Sequence, residues 1–467
     1  MTGDMASAGT KTEQIYALLR DRILQGQLRI GRRLPSTRDL SGELGASRSV
    51  IVEVYEQLIA EGYVEGRVGS GTFVADWKSG GFVEGPLSGD AASSMPITFE
   101  RTKRNPYIDF MPSFPSLQDV PLARWTAAYR ECAAIADPAV LGYGDPAGGP
   151  ELRLQIARLL LQTKGFRCSP AQVIVTAGAT QALSLLSKLL LAPGKTIVTE
   201  DPTANFILDI FVSSGANVEP VPVDRHGLCV TELKDAIRPA AVFVTPSHQF
   251  PFGGILPIQR RLQLLEYARR TGCYIIEDDY DSEFRYSGMP VRAMREWDAE
   301  RVIYVGTFSK KLFPALRIGY MVVPEALVEP LVHIKKTADF HVPALPQLAL
   351  ARFMAEGQLD RHVARMKRVY ARRRARLLAS LRQWFGSDVE TDGDAAGLHL
   401  VADFSGVRFD DALTEAIKER GVLVYPAESF AIRKGRYESK LILGFGNVTE
   451  RQIEDGVRTL ADVLKNR

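Results

Sequence analysis

The sequence predicts a multidomain chain: a small α+β head followed by a large α/β domain built on a mostly parallel sheet. Three observations lead there. A length of 467 residues is more than one small core can use. Residues 10–75 hold short capped helices and an alternating Gly-rich segment. Beyond a join rich in Gly, Ser and Pro, near-continuous apolar runs alternate with helical stretches, the pattern of parallel strands covered on both faces.

The bulk composition narrows the function classes. Apolar residues make up 46% and charged residues 24%, an ordinary soluble composition. A net charge of +3 is too small to coat nucleic acid, so any DNA contact has to come from a local patch. Cys132, Cys168, Cys229 and Cys273 are scattered, with no C-x-x-C pair. Neither zinc nor a disulfide framework is indicated, and no metal is expected. The N-terminus is polar, and no run approaches the roughly 18 apolar residues of a membrane span. A cytoplasmic protein with reduced thiols is the expectation.

The head reads as three helices and a hairpin. Ile15, Leu18, Leu19 and Ile23 follow helical spacing, interrupted by Arg22. In "LPSTRDLSGELGASRSVIVEVYEQL", Ser36 with Asp39 marks a capping-box-like helix start after Pro35. Gly45 ends that short helix, Ser47 caps the next, and Val50, Val54 and Leu58 form its apolar stripe. "YVEGRVGSGTFV" alternates around Gly69-Ser70-Gly71 as a hairpin wing. Such a winged helix-turn-helix sets its recognition helix into the major groove by the N-terminus. Arg38 and Arg48 open two successive helices, where a guanidinium meets phosphate or guanine beside anion-favouring N–H groups.

Gln14 to Val74 resembles the winged-helix domain of the GntR superfamily. Leu34–Leu40 matches its "LPS-x-R-x-L" pattern, and Ser47–Ile51 stands in near-register with "SR-x-x-V". The resemblance implies that Ser36, Arg38, Ser47, Arg48, Gly69, Gly71 and Thr72 meet a double-stranded DNA operator. From residue 76 to 105 periodicity fades in "KSGGFVEGPLSGDAASSMP", which reads as a flexible linker. It would let two DNA heads reach half-sites at variable separation.

Residues 106–467 form the large domain, with strands expected in "VIVTAG", "TIVTED", "VFVTPS", "YIIEDD" and "VIYVGTFS". Functional residues should gather at the carboxyl ends of these strands. Gly178, Ala179 and Thr180 open a helix there and form a phosphate cradle. Glu277, Asp278, Asp279 and Tyr280 place carboxylates at another strand end, costly without a cation. Ser309, Lys310 and Arg317 follow a third. Pyridoxal phosphate would satisfy all of them: its aldehyde takes a lysine, its protonated ring nitrogen an aspartate, its phosphate a helix N-terminus and an arginine, its ring oxygen a phenol.

Here the chain resembles fold-type-I aminotransferases over Tyr107 to Leu464, and through "EDDYDSEF" the MocR/GabR branch of regulators. The resemblance implies a fold-type-I transferase-like domain with a smaller C-terminal α+β subdomain. In "FSKKLFPALRIGY" it makes Lys310 the imine former, with Lys311 as rival, and Arg317 the phosphate arginine. Asp278 becomes the ring-nitrogen partner, Tyr280 the ring-oxygen partner, and "GYGDPAGGPELR" from Gly142 the substrate-side loop. Three stretches depart from the branch. Ala204 stands where an aromatic ring stacks on the pyridine, with Phe206 two residues on as a candidate substitute. "HQFPFGG" puts Phe250 in place of an asparagine and Phe252 in place of a threonine, leaving His248 and Gln249 as polar neighbours, His248 with a structural or a functional role. Ile442 occupies the place of the arginine that clamps a carboxylate, and Arg433 is the candidate replacement. The expectation is a regulator, a homodimer with little or no transaminase turnover, sensing an amine, an amino compound or pyridoxal phosphate through an aldimine at Lys310. The rival is an active aminotransferase with an accessory DNA-binding domain.

Overall fold

The computed structural model describes residues 10–67, 69–76, 106–289 and 291–465. All of the expected linker except Asp76 lies outside the described residues. The chain divides into two compact units, with the boundary after residue 101.

The first unit is the head. Its helices are Lys11–Leu24 (α1), Thr37–Leu44 (α2) and Arg48–Ala60 (α3), followed by strands Val64–Arg67 (β1) and Gly71–Val74 (β2). Ser36 and Ser47 cap α2 and α3 by accepting the N–H of Asp39 and Val50, and Gly45 closes α2 at φ 56°. The Ser36 cap is one-sided: Asp39 takes the Ser36 hydroxyl proton and does not return to the cap's backbone. Ile15, Leu19 and Ile23 pack on Ile51, Val54 and Leu58. Leu18, expected on the same stripe, is exposed, because the core takes the i, i+4, i+8 row Ile15, Leu19 and Ile23 and leaves Leu18 at the stripe's edge. Strands β1 and β2 pair antiparallel from Val64–Val74 to Arg67–Gly71.

The second unit opens with Ile108–Asp109 (β3), Leu122–Ala134 (α4) and Pro150–Lys164 (α5). An alternating series follows: Val173–Thr176 (β4), Ala179–Leu190 (α6), Thr196–Asp201 (β5), Asn205–Ser213 (α7), Asn217–Asp224 (β6), Gly227–Leu228 (β7), Ala241–Val244 (β8), Ile258–Thr271 (α8), Tyr274–Asp279 (β9), Val302–Thr307 (β10) and Gly319–Val322 (β11). These strands form one sheet in the order β4-β11-β10-β9-β8-β5-β6-β7. β10, β9, β8, β5 and β6 run parallel, while β11 returns antiparallel between β10 and β4. All five expected strands are present, each buried on both faces, as their continuous apolar character requires.

The remaining chain is Glu325–Asp339 (α9), Ala344–Ala355 (α10), the long Gln358–Phe385 (α11), Val389–Asp392 (β12), His399–Phe404 (β13), Asp411–Glu419 (α12), Val422–Leu423 (β14), Tyr425–Pro426 (β15), Lys440–Gly444 (β16) and Glu450–Lys465 (α13). β12, β13, β16 and β15 make a second, antiparallel sheet, the smaller α+β subdomain. Its core joins Leu400 and Leu443 to Tyr370, Leu377 and Val457 of the helices. No helix among the described residues is long and apolar enough to cross a membrane.

Candidate functional site

In β9 side chains alternate between the two faces of the sheet, and consecutive carboxylates meet opposite fates. Asp279 lies behind the sheet against Lys164, the last residue of α5, with Nζ at 2.6 Å from Oδ2. The Tyr304 hydroxyl donates to the same oxygen at 2.7 Å. Glu283 joins this buried group, 3.3 Å from Lys164 and 2.8 Å from Lys311. Burial alone would raise Asp279, but the Lys164 ammonium outweighs it and holds the carboxyl down to about 2. Asp278 points the other way. It is 6% exposed, and its Oδ1 has no hydrogen-bond partner. Burial, then the charge of Asp279, pushes its carboxyl up to about 7.

Lys310 shares that open side. β10 pairs in parallel register with β9, Val305 opposite Asp278, and the turn after Thr307 carries Ser309 and Lys310. Thr307 Oγ1 accepts the Ser309 N–H at 3.1 Å and fixes this turn. Lys310 forms no ion pair or hydrogen bond among the described residues, and burial pushes its ammonium below the ordinary lysine range against the opposing pull of Asp281 and Asp278. Lys311 is committed to Glu283. The geometry therefore separates the two lysines that the sequence left as rivals: the first is free, the second paired.

Arg317 ends the same loop in the left-handed region, at φ 52° and ψ 43°, after the single turn Pro314–Leu316. A non-glycine residue holds that conformation only when its surroundings fix it. Its guanidinium donates to the Ala177 carbonyl at 2.8 Å and lies over Gly178, where a Cβ would stand 2.7 Å from the guanidinium nitrogen. Gly178, at φ 84°, precedes α6, so the Ala179 and Thr180 N–H groups open that helix beside Arg317. A carboxylate without a partner, a lysine without a partner, and an arginine over a glycine-lined helix start together fit pyridoxal phosphate by the chemistry of their donors.

Tyr280 follows Asp278 and contacts a cluster that motif matching did not resolve. Its hydroxyl is 3.0 Å from His248 Nδ1, which is 2.9 Å from Asp281 Oδ1. His399 lies 4.9 Å from the His248 ring, bonded to Ser113 Oγ and the Pro251 carbonyl, each at 3.0 Å. Asp281, His248 and His399 bring ligand atoms within 4.8 Å of one another, yet every ring nitrogen already has a hydrogen-bond partner. Phe250 packs its ring on Tyr280, His399 and Phe430. Asp281 is visible in "EDDYDSEF" as a further acid, but its partner lies on a different strand end.

The other departures also have places. Ile442 is fully buried with Phe252, Val223, Val401 and Ala427, so the two replaced polar positions pack in one apolar cluster. Arg433 is exposed, and its backbone N–H binds Asp201. Phe206, on α7, is 52% exposed and makes no ring contact among the described residues, whereas Ala204 is buried before that helix. In the head, Ser36, Arg38, Ser47, Arg48, Gly69 and Gly71 are exposed and Thr72 is half-buried. Arg33, unmarked by any motif, bridges to Phe73 and sets its guanidinium beside Gly71 of the wing.

Fold and site together define a winged helix joined to a transferase of the pyridoxal-phosphate type. Residues 112–460 match the family aminotransferase class I and II, and residues 11–74 match the bacterial regulatory proteins of the gntR family. The chain is 35% identical over 458 residues to the probable rhizopine catabolism regulatory protein MocR of Rhizobium meliloti, covering 96% of this chain and 92% of the relative. It is 32% identical over 463 residues to the pyridoxine biosynthesis transcriptional regulator PdxR of Corynebacterium glutamicum, covering 97% and 95%. The crystal structure of Pyrococcus horikoshii kynurenine aminotransferase with PMP superposes with a TM-score of 0.72 at 26% identity, covering 78% of this chain and 92% of that one. This chain belongs to the MocR-type transcriptional regulators, a gntR-family DNA-binding domain on a class I and II aminotransferase domain.

Proposed function

We propose that the protein binds pyridoxal phosphate covalently through Lys310 and uses that site to sense a small effector. The observation that carries the assignment is the pairing pattern: Lys310 and Asp278 have no partners in a site where Lys311 and Asp279 are both ion-paired. In this reading Asp278 holds the ring nitrogen in its charged form, and Tyr280 donates to the ring oxygen. Gly178, Ala179, Thr180, Ser309 and Arg317 take the phosphate. The cofactor would supply an electrophilic carbon for amines. The residues orient it, keep water from the buried carboxylate, and leave Lys310 as the exchangeable nitrogen.

The effector is an amine, an amino compound or pyridoxal phosphate itself. Ile442, packed with Phe252, fills with hydrocarbon the place where a carboxylate clamp would stand, and Arg433 does not offer a buried substitute. A bidentate arginine contributes a few kcal/mol to holding a carboxylate, roughly 1.5–3 per charged hydrogen bond. Transaminase turnover should therefore be slight. Effector binding would shift the balance between two arrangements of a cytoplasmic homodimer and so alter how two heads, 10–75, joined by linkers, 76–105, to effector domains, 106–467, meet operator DNA. Ser36, Arg38, Ser47, Arg48, Gly69, Gly71 and Thr72 supply the DNA contacts, with Arg48 reading a base.

The test pairs a visible spectrum with a footprint. The purified protein with pyridoxal phosphate should absorb near ~420 nm, as lysine-bound pyridoxal does, and Lys310→Ala should not. Arg48→Ala should weaken a specific footprint upstream of the protein's own gene by about 1–3 kcal/mol. A colourless wild type in excess cofactor would overturn the sensor reading. Steady turnover of an amino acid with a keto acid would favour the aminotransferase reading instead.

A further inference from the structure

Tyr280 needs a free proton to serve as a donor, and its surroundings decide where that proton points. Asp281 is a carboxylate that only accepts, and its Oδ1 is 2.9 Å from His248 Nδ1. The nitrogen between them must therefore carry the hydrogen. The Tyr280 oxygen is 3.0 Å from that same Nδ1, whose one hydrogen is shared between carboxylate and phenol, so the phenol oxygen receives from it. The other ring nitrogen, Nε2, faces the Gly393 carbonyl at 3.3 Å, which also only accepts. Both imidazole nitrogens thus face acceptors, the arrangement that suits a buried imidazolium balanced by Asp281. Burial lowers the His248 pKa, but Asp281 more than reverses this and the net direction is upward.

The pair is built into the fold. Gly397, at φ 75°, has no Cβ because one would penetrate the His248 ring and stand 2.6 Å from Asp281 Oδ2. On the far side Phe250 presents a phenyl ring and no donor to Tyr280. We propose that His248 and Asp281 form a positioning unit for Tyr280. The imidazole N–H occupies the phenol's lone pair and turns its own O–H away, into the cofactor side of the site. This inference rests on the reading that Tyr280 faces the cofactor's ring oxygen.

Other titratable groups face this unit and bear on its pH dependence. Asp279 also acts on His248, and the His399 ring lies against it. Asp278, Asp281, Glu200 and the Ser113 hydroxyl act on Tyr280, whose phenol is kept protonated first by burial. Lys310 acts on His399. His399 donates from Nε2 to the Pro251 carbonyl, so its Nδ1 accepts from Ser113. Ser113 is thus an alternative acceptor for the phenol's proton.

The experiment is a pH titration of the visible band of the pyridoxal-phosphate-loaded full chain. A donor to the ring oxygen makes that oxygen a weaker holder of the proton it shares with the lysine-derived nitrogen. Losing the donor should raise the midpoint. Tyr280→Phe and His248→Gln should each raise it by about one unit. The double variant should match Tyr280→Phe alone, since His248 acts only through the phenol. Ser113→Ala should leave it within a few tenths of a unit of the wild type, roughly the limit for an uninvolved group. A His248→Gln midpoint equal to the wild type, or an undiminished shift in the Tyr280→Phe background, would overturn the positioning role. Absence of any band in the wild type would instead sink the cofactor reading. If no His248 variant folds, the 15N spectrum of histidine-labelled wild type decides: His248 Nδ1 should stay protonated throughout the titration, and a bare Nδ1 would refute the inference.

Discussion

The two faces of β9 make opposite use of the same residue type. Behind the sheet, Asp279, Lys164, Glu283 and Lys311 balance one another's charge in ion pairs, with Tyr304 closing the group. In front, Asp278 and Lys310 have no partners, although each lies one residue from a paired counterpart. The rear group is charge-paired within the fold and serves it. The front group is complete only when something else arrives. Asp279 Oδ1 and the Glu283 oxygens also lack hydrogen bonds, so it is the missing ion pair, not an unbonded oxygen or charge density, that separates the binding site from the structural network.

The sharpest way to break that contrast is to exchange the lysines' fates. Lys310→Ala should abolish the visible band of the loaded protein entirely while leaving the denaturation midpoint of the apoprotein nearly unchanged. Lys311→Ala should keep the band and lose up to about 3–5 kcal/mol of unfolding free energy by denaturant titration, because buried Glu283 loses its shorter ion pair and keeps only Lys164 at 3.3 Å. The next effect concerns the acids. Asp278→Asn should weaken cofactor binding at least about tenfold, the loss of a charged hydrogen bond to the ring nitrogen, with no loss of apoprotein stability. Asp279→Asn should instead destabilise the fold. A smaller effect follows from pH. The folded pKa of Asp278 is raised to about 7 from 3.8, so its contribution to apoprotein stability is full below the unfolded value and is lost as pH rises through about 7. Asp279, lowered to about 2, contributes above 3.8 and loses its share only as pH falls toward about 2. The wild-type apoprotein should therefore lose stability between about pH 4 and 7 more steeply than Asp278→Asn. Equal slopes would mean that Asp278 has a partner after all.

The front face was readable from the sequence because its residues sit within short motifs at strand ends. Asp278 and Tyr280 are two apart, and one loop spans Lys310 to Arg317. The rear face was not readable, since its partners are far apart: Lys164 reaches Ser282 across 118 positions. Nothing in "KG" after an amphipathic helix marks Lys164 as other than a solvated cap. The return strand β11 is four apolar residues, too short for its direction to be inferred. His248 and Asp281 had the same difficulty; they meet only because β8 and β9 are neighbours in the sheet. In the head, caps and turn glycines are local, so boundaries followed directly, whereas the position of Arg33 against the wing depends on a bridge to Phe73.

The antiparallel return of β11 has one more consequence. Because β10 and β11 are joined by one connection, residues 308–318, Lys310 and Arg317 ride on one piece of chain. A ligand gripped at both would be fixed to the large-domain sheet. The opposite wall belongs to other stretches, where residues 393–397 press on His248 and Asp281 and the stretch 428–433 is pinned to Asp201 and Thr203.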